Sequence, residues 1–584
     1  MPKSESPIAG RLESVRKHMT KMAVDVMIVR STDRFLNEYV PTDESARVWI
    51  SGFTGSMGEV VLTKDRAYLA VDGRYWLQAD QETDPTLYEV VKVPMGRGLD
   101  QAVAELLTGL AAKAKQGKLR IGFEPDRVTP SNLELFQAST PAACTWKPLF
   151  PSPVEVARGA ARPAPREPGI RLVDERRVGA TVEEKLRTLG AQLEAAGLDA
   201  LLVQRLDDIA YLSNLRGNEL AYQSTFKAIA LATHDRLFIA LDPAKVPQAV
   251  RAARDAILFM PEAELWTLVG KTTKRRSVGY DRRGNTEQGR MAIEATGATA
   301  VPITSPIASM KAIKNPSELK AMREAFARAD RVVHGAINWL CQKVSAKERV
   351  TEYDFAEHVA ESFYASGATG LSFKVISAAG KNGAIIHYSD PSRRRVIREG
   401  ELMLLDTGAY YDEGYATDLT RTFLVGGRTT KASAEQKRYY TLVLKGAIGG
   451  MSAIVPAGAS GIALDAMVRA PLWAAGLDYA HGTGHGVGIN VHEFPPRVAP
   501  AGASSLEAGY VFSIEPGVYV PSFGGIRIEN LCTLEPIKKD STFLKVVPLT
   551  FCPLDKRLID TKLLTAEEKR WLAAYAKGFK TRDA

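Results

Sequence analysis

TKDRAYLAVD at residues 63–72 returns as THDRLFIALD at 233–242, 170 residues further on. Upstream, VDVMIV at 24–29 is echoed by LDALLV at 198–203, 174 residues away. Each is an apolar run of strand length, and each pair holds a similar place in its segment. Chance likeness between apolar strands is the alternative. Two echoes in step favour two copies of one α/β unit of about 150 residues.

Working outward, SPVEVARGAARPAPREPG at 152–169 is rich in proline, glycine and alanine and reads as a linker between the copies. Past the second copy, Pro316-Ser317-Glu318 is a helix start, followed by helical spacing through Trp339. The expected organisation is an α/β domain over 1–151, the linker, a related α/β domain over 170–312, and a third domain over 313–584.

The bulk numbers agree with a multidomain globular chain. At 584 residues it is too long for one hydrophobic core. Its 45% hydrophobic and 24% charged content is not that of a disordered protein. The start, MPKSESPIAG, has no apolar signal region, and no run nears the 18 or so apolar residues of a membrane span. The four cysteines, Cys144, Cys341, Cys532 and Cys552, form no CxxC pair, which predicts reduced thiols and a cytoplasmic setting. The net charge of +9 invites a nucleic-acid reading. The basic clusters, KRR at 274–276 and RRR at 393–395, are short and lack interleaved aromatics, so solvated surface is the expectation and no nucleic-acid partner is assigned.

The chemistry is expected in the third domain. LMLLDTGAYYDEGYATDLTRTFLVG (402–426) reads as a hairpin carrying Asp406 and Asp418. VFSIEPGVYVPSFGGIRIENLCTL (511–534) reads as two strands around a Pro/Gly-rich connection, with Glu515 and Glu529. Arg527 and Glu529 are two apart and face one side of a strand. Aspartate is depleted in strands and rarely buried unless paired or coordinated. HGTGHGVGINVHE (481–493) adds three of the eight histidines, His481, His485 and His492, on a backbone too glycine-rich for a helical HExxH site. Singly, each carboxylate reads as a turn residue satisfied by backbone amides. Together, four crowded carboxylates would drive some pKa values up unless cations join them. Oxygen donors with one nitrogen suit Mn²⁺ or a similar first-row ion better than a structural zinc site. Two such ions about 3.5–4 Å apart can share carboxylates and hold a bridging hydroxide. The residues predict a two-metal hydrolase.

At these motifs the chain resembles aminopeptidase P, the Xaa-Pro aminopeptidase branch of the pita-bread metallopeptidases, in its long three-domain cytosolic form. The likeness runs through SGFTGSMG (51–58), DGRYWLQA (72–79), LRGNELAY (215–222), KAIKNPSE (311–318), GLSFKVISAAGKNGAIIHY (370–388) and FCPLDKRLIDTKLLTAEEKRWL (551–572). It implies an α/β chain with two creatinase N-terminal-like domains followed by an α+β pita-bread catalytic domain. It implies two divalent ions, Mn²⁺ with Co²⁺ or Zn²⁺ as alternatives, on Asp406, Asp418, His485, Glu515 and Glu529. In that assignment Asp406 chelates one ion and His485 the other, Asp418 and Glu529 bridge, and Glu515 shuttles the proton. His387 and His492 are implied as catalytic groups that contact the substrate. His481 and Arg74 are assigned to substrate binding, and Arg527 is placed with them. The implied substrates are peptides with proline second, and the implied assembly is a homodimer.

Two departures are visible. Asp406 and Asp418 stand twelve apart, one more than is common in the family, and GVGINVHE is two residues shorter than in the long form. A prolidase, which takes only dipeptides, shares the ligand set. Methionine aminopeptidase lacks two leading domains. A metal-free pita-bread binding protein is the non-enzymatic alternative, and the intact ligand set argues against it.

Overall fold

The computed structural model describes residues 7–94, 96–164, 166–252, 255–272, 277–539 and 541–580. The first six residues, Pro165 in the stretch read as a linker and the KRR at 274–276 lie outside the described residues. The chain divides into two compact units: Met1–Leu172, Ala180–Leu220 and Thr225–Ile307 in one, and Val173–Gly179, Ala221–Ser224 and Ala308–Ala584 in the other.

The first unit holds two six-stranded sheets. One runs Glu89–Lys92, Ala67–Val71, Glu59–Thr63, Val26–Val29, Arg120–Phe123, Thr145–Pro148; the other runs Ile257–Met260, Leu237–Ala240, Ile229–Ala232, Ala200–Val203, Ser277–Asp281, Thr299–Ile303. In chain order both read fourth, third, second, first, fifth, sixth. In both, the first strand is antiparallel to the second and parallel to the fifth. The two sequence echoes land on the first and third strands, so the duplication is one of topology. Even the turn repeats. Arg66 N–H donates to Thr63 Oγ1 at 2.9 Å, and Arg236 N–H to Thr233 Oγ1 at 3.1 Å. A threonine hydroxyl closes each hairpin where the two sequences share Thr-x-Asp-Arg.

The structure differs from the expected ranges in two places. The stretch 152–169 opens with a helix, Pro153–Arg158, whose Ser152 cap accepts the Glu155 N–H and whose Val154 is buried with Leu12, Val15 and Met19. Proline at the first helical position behind a serine cap is a helix start that composition alone hides. Secondly, residues 173–179 and 221–224, inside the range given to the second α/β domain, belong to the second unit. There Asn315 Nδ2 donates to Val178 O at 2.8 Å, Arg177 pairs with Glu413 at 2.9 Å, and Ser224 Oγ donates to Gly414 O at 2.7 Å.

The second unit is built from two helix pairs, each laid on a sheet. Helix Pro316–Ser345 starts where expected. Asn315 accepts from the amides of Ser317 and Glu318, while the Glu318 carboxylate accepts the Asn315 N–H at 2.9 Å. With helix Glu352–Ala365 it covers the sheet Ile376–Ala379, Leu402–Thr407, Leu419–Leu424 through Val333, Leu340, Phe355, Met403 and Phe423. Helices Ala434–Met451 and Gly461–Trp473 cover an antiparallel sheet ordered Ile454–Pro456, Phe543–Pro548, Asn530–Pro536, Val511–Ile514, Gly484–Gly486, Glu493–Val498 through Val443, Leu464, Phe512 and Val546. The 402–426 hairpin forms as read. The 511–534 segment forms four strands instead of two. Val511–Ile514 and Asn530–Pro536 pair in the large sheet, and Gly517–Val520 pairs with Gly524–Arg527 in a separate hairpin. Pro516, with no N–H to give, sits at the first break. Among the described residues no helix is long and apolar enough to cross a membrane.

Candidate metal centre

Three of the four carboxylates stand where those strands begin or end. Asp406 is in Leu402–Thr407 opposite Thr420, and Asp418 immediately precedes Leu419–Leu424, so both lie at one end of the hairpin. Glu515 and Glu529 flank the small hairpin, where the chain leaves the large sheet and re-enters it. His485 is the middle residue of Gly484–Gly486, next to Val511–Ile514. Glycine is required there by packing: a Cβ at Gly484 would overlap the Ser513 carbonyl oxygen.

Asp418, His485 and Glu529 bring one ligand atom each within 4.8 Å of one another. His485 Nε2 lies 3.5 Å from Asp418 Oδ2 and 3.5 Å from Glu515 Oε1. Its Nδ1 is 3.1 Å from the Gly486 carbonyl, an acceptor, so Nδ1 donates there and Nε2 is the nitrogen that faces the carboxylates. Asp406 accepts from Arg527 Nη2 at 2.6 Å through Oδ2, while its Oδ1 is buried and accepts no hydrogen bond.

The electrostatics are those of too much negative charge away from water. Burial, then the charges of Glu529, Asp406 and Glu515, hold the Asp418 carboxyl well above its usual range. Burial, with Glu515 and Asp406, does the same to Glu529. Burial pushes Glu515 up to about 7 against the pull of Arg527. Four carboxylates, one of them with an orphaned oxygen, and one imidazole nitrogen are a donor set that divalent cations fit.

Sequence reasoning missed the residues that support this set. Thr420 Oγ1 donates to Glu529 Oε2 at 2.8 Å and accepts from Arg527 Nε at 3.1 Å. Ser513 Oγ accepts the His485 N–H at 3.1 Å and donates to Glu515 Oε1 at 3.4 Å. Both stand two residues from an acid, on the same strand face, which is the signal that could have found them. Tyr519 offers no such signal. Its hydroxyl accepts from Arg527 Nη1 at 2.7 Å and donates to His481 Nε2 at 2.9 Å, since His481 Nδ1 gives its proton to Gly482 O at 2.7 Å.

His481 is therefore buried with both ring nitrogens engaged inside the chain, 3.9 Å from Glu515. His492 stacks edge-on to His485, ring centroids 4.3 Å apart. His387 follows Ile386, whose carbonyl accepts from Arg527 Nη1 at 3.3 Å. Arg74 belongs to the first unit, where it grips Asp72 at 2.8–3.0 Å. Of the RRR cluster, Arg395 pairs with Glu401 at 2.6 Å and Arg393 covers the Tyr353 ring.

Comparison with known proteins agrees with this architecture. The creatinase/prolidase N-terminal domain matches twice, over 11–158 and 161–318, metallopeptidase family M24 matches 320–536, and its C-terminal region 542–580. A Sordaria macrospora protein named "Probable Xaa-Pro aminopeptidase P" is 36% identical over 96% of this chain and 94% of its own. One of the same name from Coprinopsis cinerea is 34% identical over 97% and 93%. The solved X-prolyl aminopeptidase of Caenorhabditis elegans, described as a cytosolic enzyme with a di-nuclear active site, superposes with a TM-score of 0.90 at 27% identity over 99% of this chain and 96% of that one. A Bacillus anthracis Xaa-Pro dipeptidase gives 0.54 at 26% identity over 64% of this chain and 99% of its own.

Fold and site thus define a metallopeptidase: two creatinase-type domains ahead of an M24 pita-bread domain. Within that class the chain belongs to the Xaa-Pro aminopeptidase P family.

Proposed function

We propose that this protein removes the first residue from peptides whose second residue is proline. The observation that carries the reading is the convergence of Asp418, His485 and Glu529 within 4.8 Å, with Glu515 and Asp406 alongside. Those five residues would hold two divalent ions, with Mn²⁺ the first choice and Co²⁺ or Zn²⁺ next. Bound there, such ions polarise a carbonyl and lower the pKa of water.

The chain's own groups account for the proton. As in any amide hydrolysis, the nitrogen of the Xaa-Pro bond must gain a proton to leave. Glu515, whose Oε1 lies 3.5 Å from His485 Nε2 within the site, can accept a proton from water and pass it to that nitrogen. His492, beside His485, is assigned to the scissile carbonyl, and His387 to substrate contact. His481, fixed by Tyr519, walls the site next to Glu515. Arg527 holds Asp406, and Arg74 is assigned to peptide binding.

The rival reading is an Xaa-Pro dipeptidase. The full-length likeness to proteins named for aminopeptidase P favours the longer substrate. Turnover of Xaa-Pro-Yaa peptides beside Xaa-Pro dipeptides decides it, with each metal added back to chelated protein. Preference for the tripeptide is expected, and strong preference for the dipeptide would overturn the substrate assignment. We assign a cytoplasmic homodimer, for which light scattering should give twice the 63.6 kDa chain mass.

A further inference from the structure

Between His485 and His492 the chain makes a loop whose path is set by one buried carboxylate. Glu493, the first residue of the strand Glu493–Val498, turns back under it. Its Oε1 accepts the N–H of Ile489 at 2.7 Å and of Asn490 at 3.2 Å. Its Oε2 accepts from Lys314 Nζ at 3.1 Å, and the two side chains are only 2–3% exposed. Gly488 leaves the space for this: a Cβ there would overlap the Glu493 carboxylate. The Gly488 carbonyl accepts the Ala416 N–H at 2.8 Å, two residues before Asp418, and Val487 N–H donates to Val511 O at 2.9 Å. The loop is thus tied to the Asp418 segment, to the large sheet and to Glu493.

We propose that Glu493, neutralised by Lys314, is the positioning residue of the His492 loop. The inference rests on the peptidase reading above and extends it to residues that touch neither metal nor substrate. A buried carboxylate that accepts two backbone amides fixes the loop's course, and Lys314 makes its burial tolerable. His492 is the residue immediately before Glu493. A displacement of about 1 Å in such a group can cost about 100-fold in rate.

Hydrogen exchange of the 486–492 peptide and steady-state kinetics on an Xaa-Pro-Yaa peptide test this, applied to metal-loaded full-length protein. In Lys314→Met/Glu493→Leu both partners of the ion pair leave together, and buried Lys311, whose charge also acts on Glu493, stays in both double variants. In the leucine variant the Ile489 and Asn490 amides should exchange faster by about tenfold or more, and kcat should fall by about 10- to 100-fold with KM nearly unchanged and bound metal unaltered. Lys314→Met/Glu493→Gln keeps the acceptor oxygen and should restore both readouts. Gly488→Ala, with both charges in place, should reproduce the defect. Unchanged exchange or unchanged kcat in the leucine variant overturns the proposal. If that variant does not fold, Gly488→Ala decides on the same two readouts. Wild-type protein that cleaves no peptide would overturn the peptidase reading, while the exchange data still decide the loop.

Discussion

At the residue scale, the five acceptors differ in what compensates them. Asp406 has the Arg527 guanidinium at 2.6 Å, whereas Asp418 and Glu529 are held up by burial and by the charges of neighbouring carboxylates. Removing one of the latter removes a cation site, so Asp418→Ala should abolish hydrolysis and lower bound metal, read by elemental analysis of reconstituted protein. Glu515→Gln keeps the shape and loses the base. We expect kcat to fall about 100- to 10,000-fold, measured at saturating metal. The acids were legible in the sequence because a carboxylate inside an apolar strand is costly and therefore informative. The role of Tyr519 was not legible, because its partners stand 38 and 8 residues away and only folding brings them together. The glycines were legible as a bar to a helix, not as a demand for particular close approaches. The structure specifies what approaches: the Ser513 carbonyl at Gly484 and the Glu493 carboxylate at Gly488.

At the scale of elements, the site is a consequence of strand interruption. Asp418, Glu515 and Glu529 stand at strand boundaries, where backbone pairing changes partner and the side chains can converge. Thr420 joins two of these boundaries by serving Glu529 and Arg527 together. Outer-shell partners of this kind typically govern metal affinity by about 10- to 100-fold, so Thr420→Val should weaken metal binding by that factor, measured by calorimetric titration. The hairpin of 402–426 was readable from its apolar ends and glycine-containing turn. The switch of 511–534 between two sheets was not, since the pairing of Val511–Ile514 with Asn530–Pro536 skips the small hairpin between them.

At the scale of the molecule, the duplicated first unit was read from two short echoes, because strand cores and a Thr-x-Asp-Arg turn survive where loops diverge. The helix inside the supposed linker was hidden by its composition. Charge shapes the behaviour of the whole chain as well. A carboxylate whose pKa is raised on folding binds protons more tightly in the folded state. Its stabilising contribution is present below the ordinary glutamate value of 4.5 and is lost as pH rises through about 7, in the case of Glu515. Metal-free protein should therefore lose stability from pH 5 to pH 8, and added divalent ions, which bind the deprotonated acids, should reverse the loss. Melting curves of chelated and metal-loaded protein should diverge as pH rises; a gap that stays constant or narrows would contradict this electrostatic account.

The most direct measurement is mass spectrometry of the products from one Xaa-Pro-Yaa peptide incubated with chelated and with Mn²⁺-loaded protein. Release of the first residue alone, and only when metal is present, is the expected result. Equal cleavage by the chelated protein, or cleavage by the loaded protein at a bond other than Xaa-Pro, would contradict it.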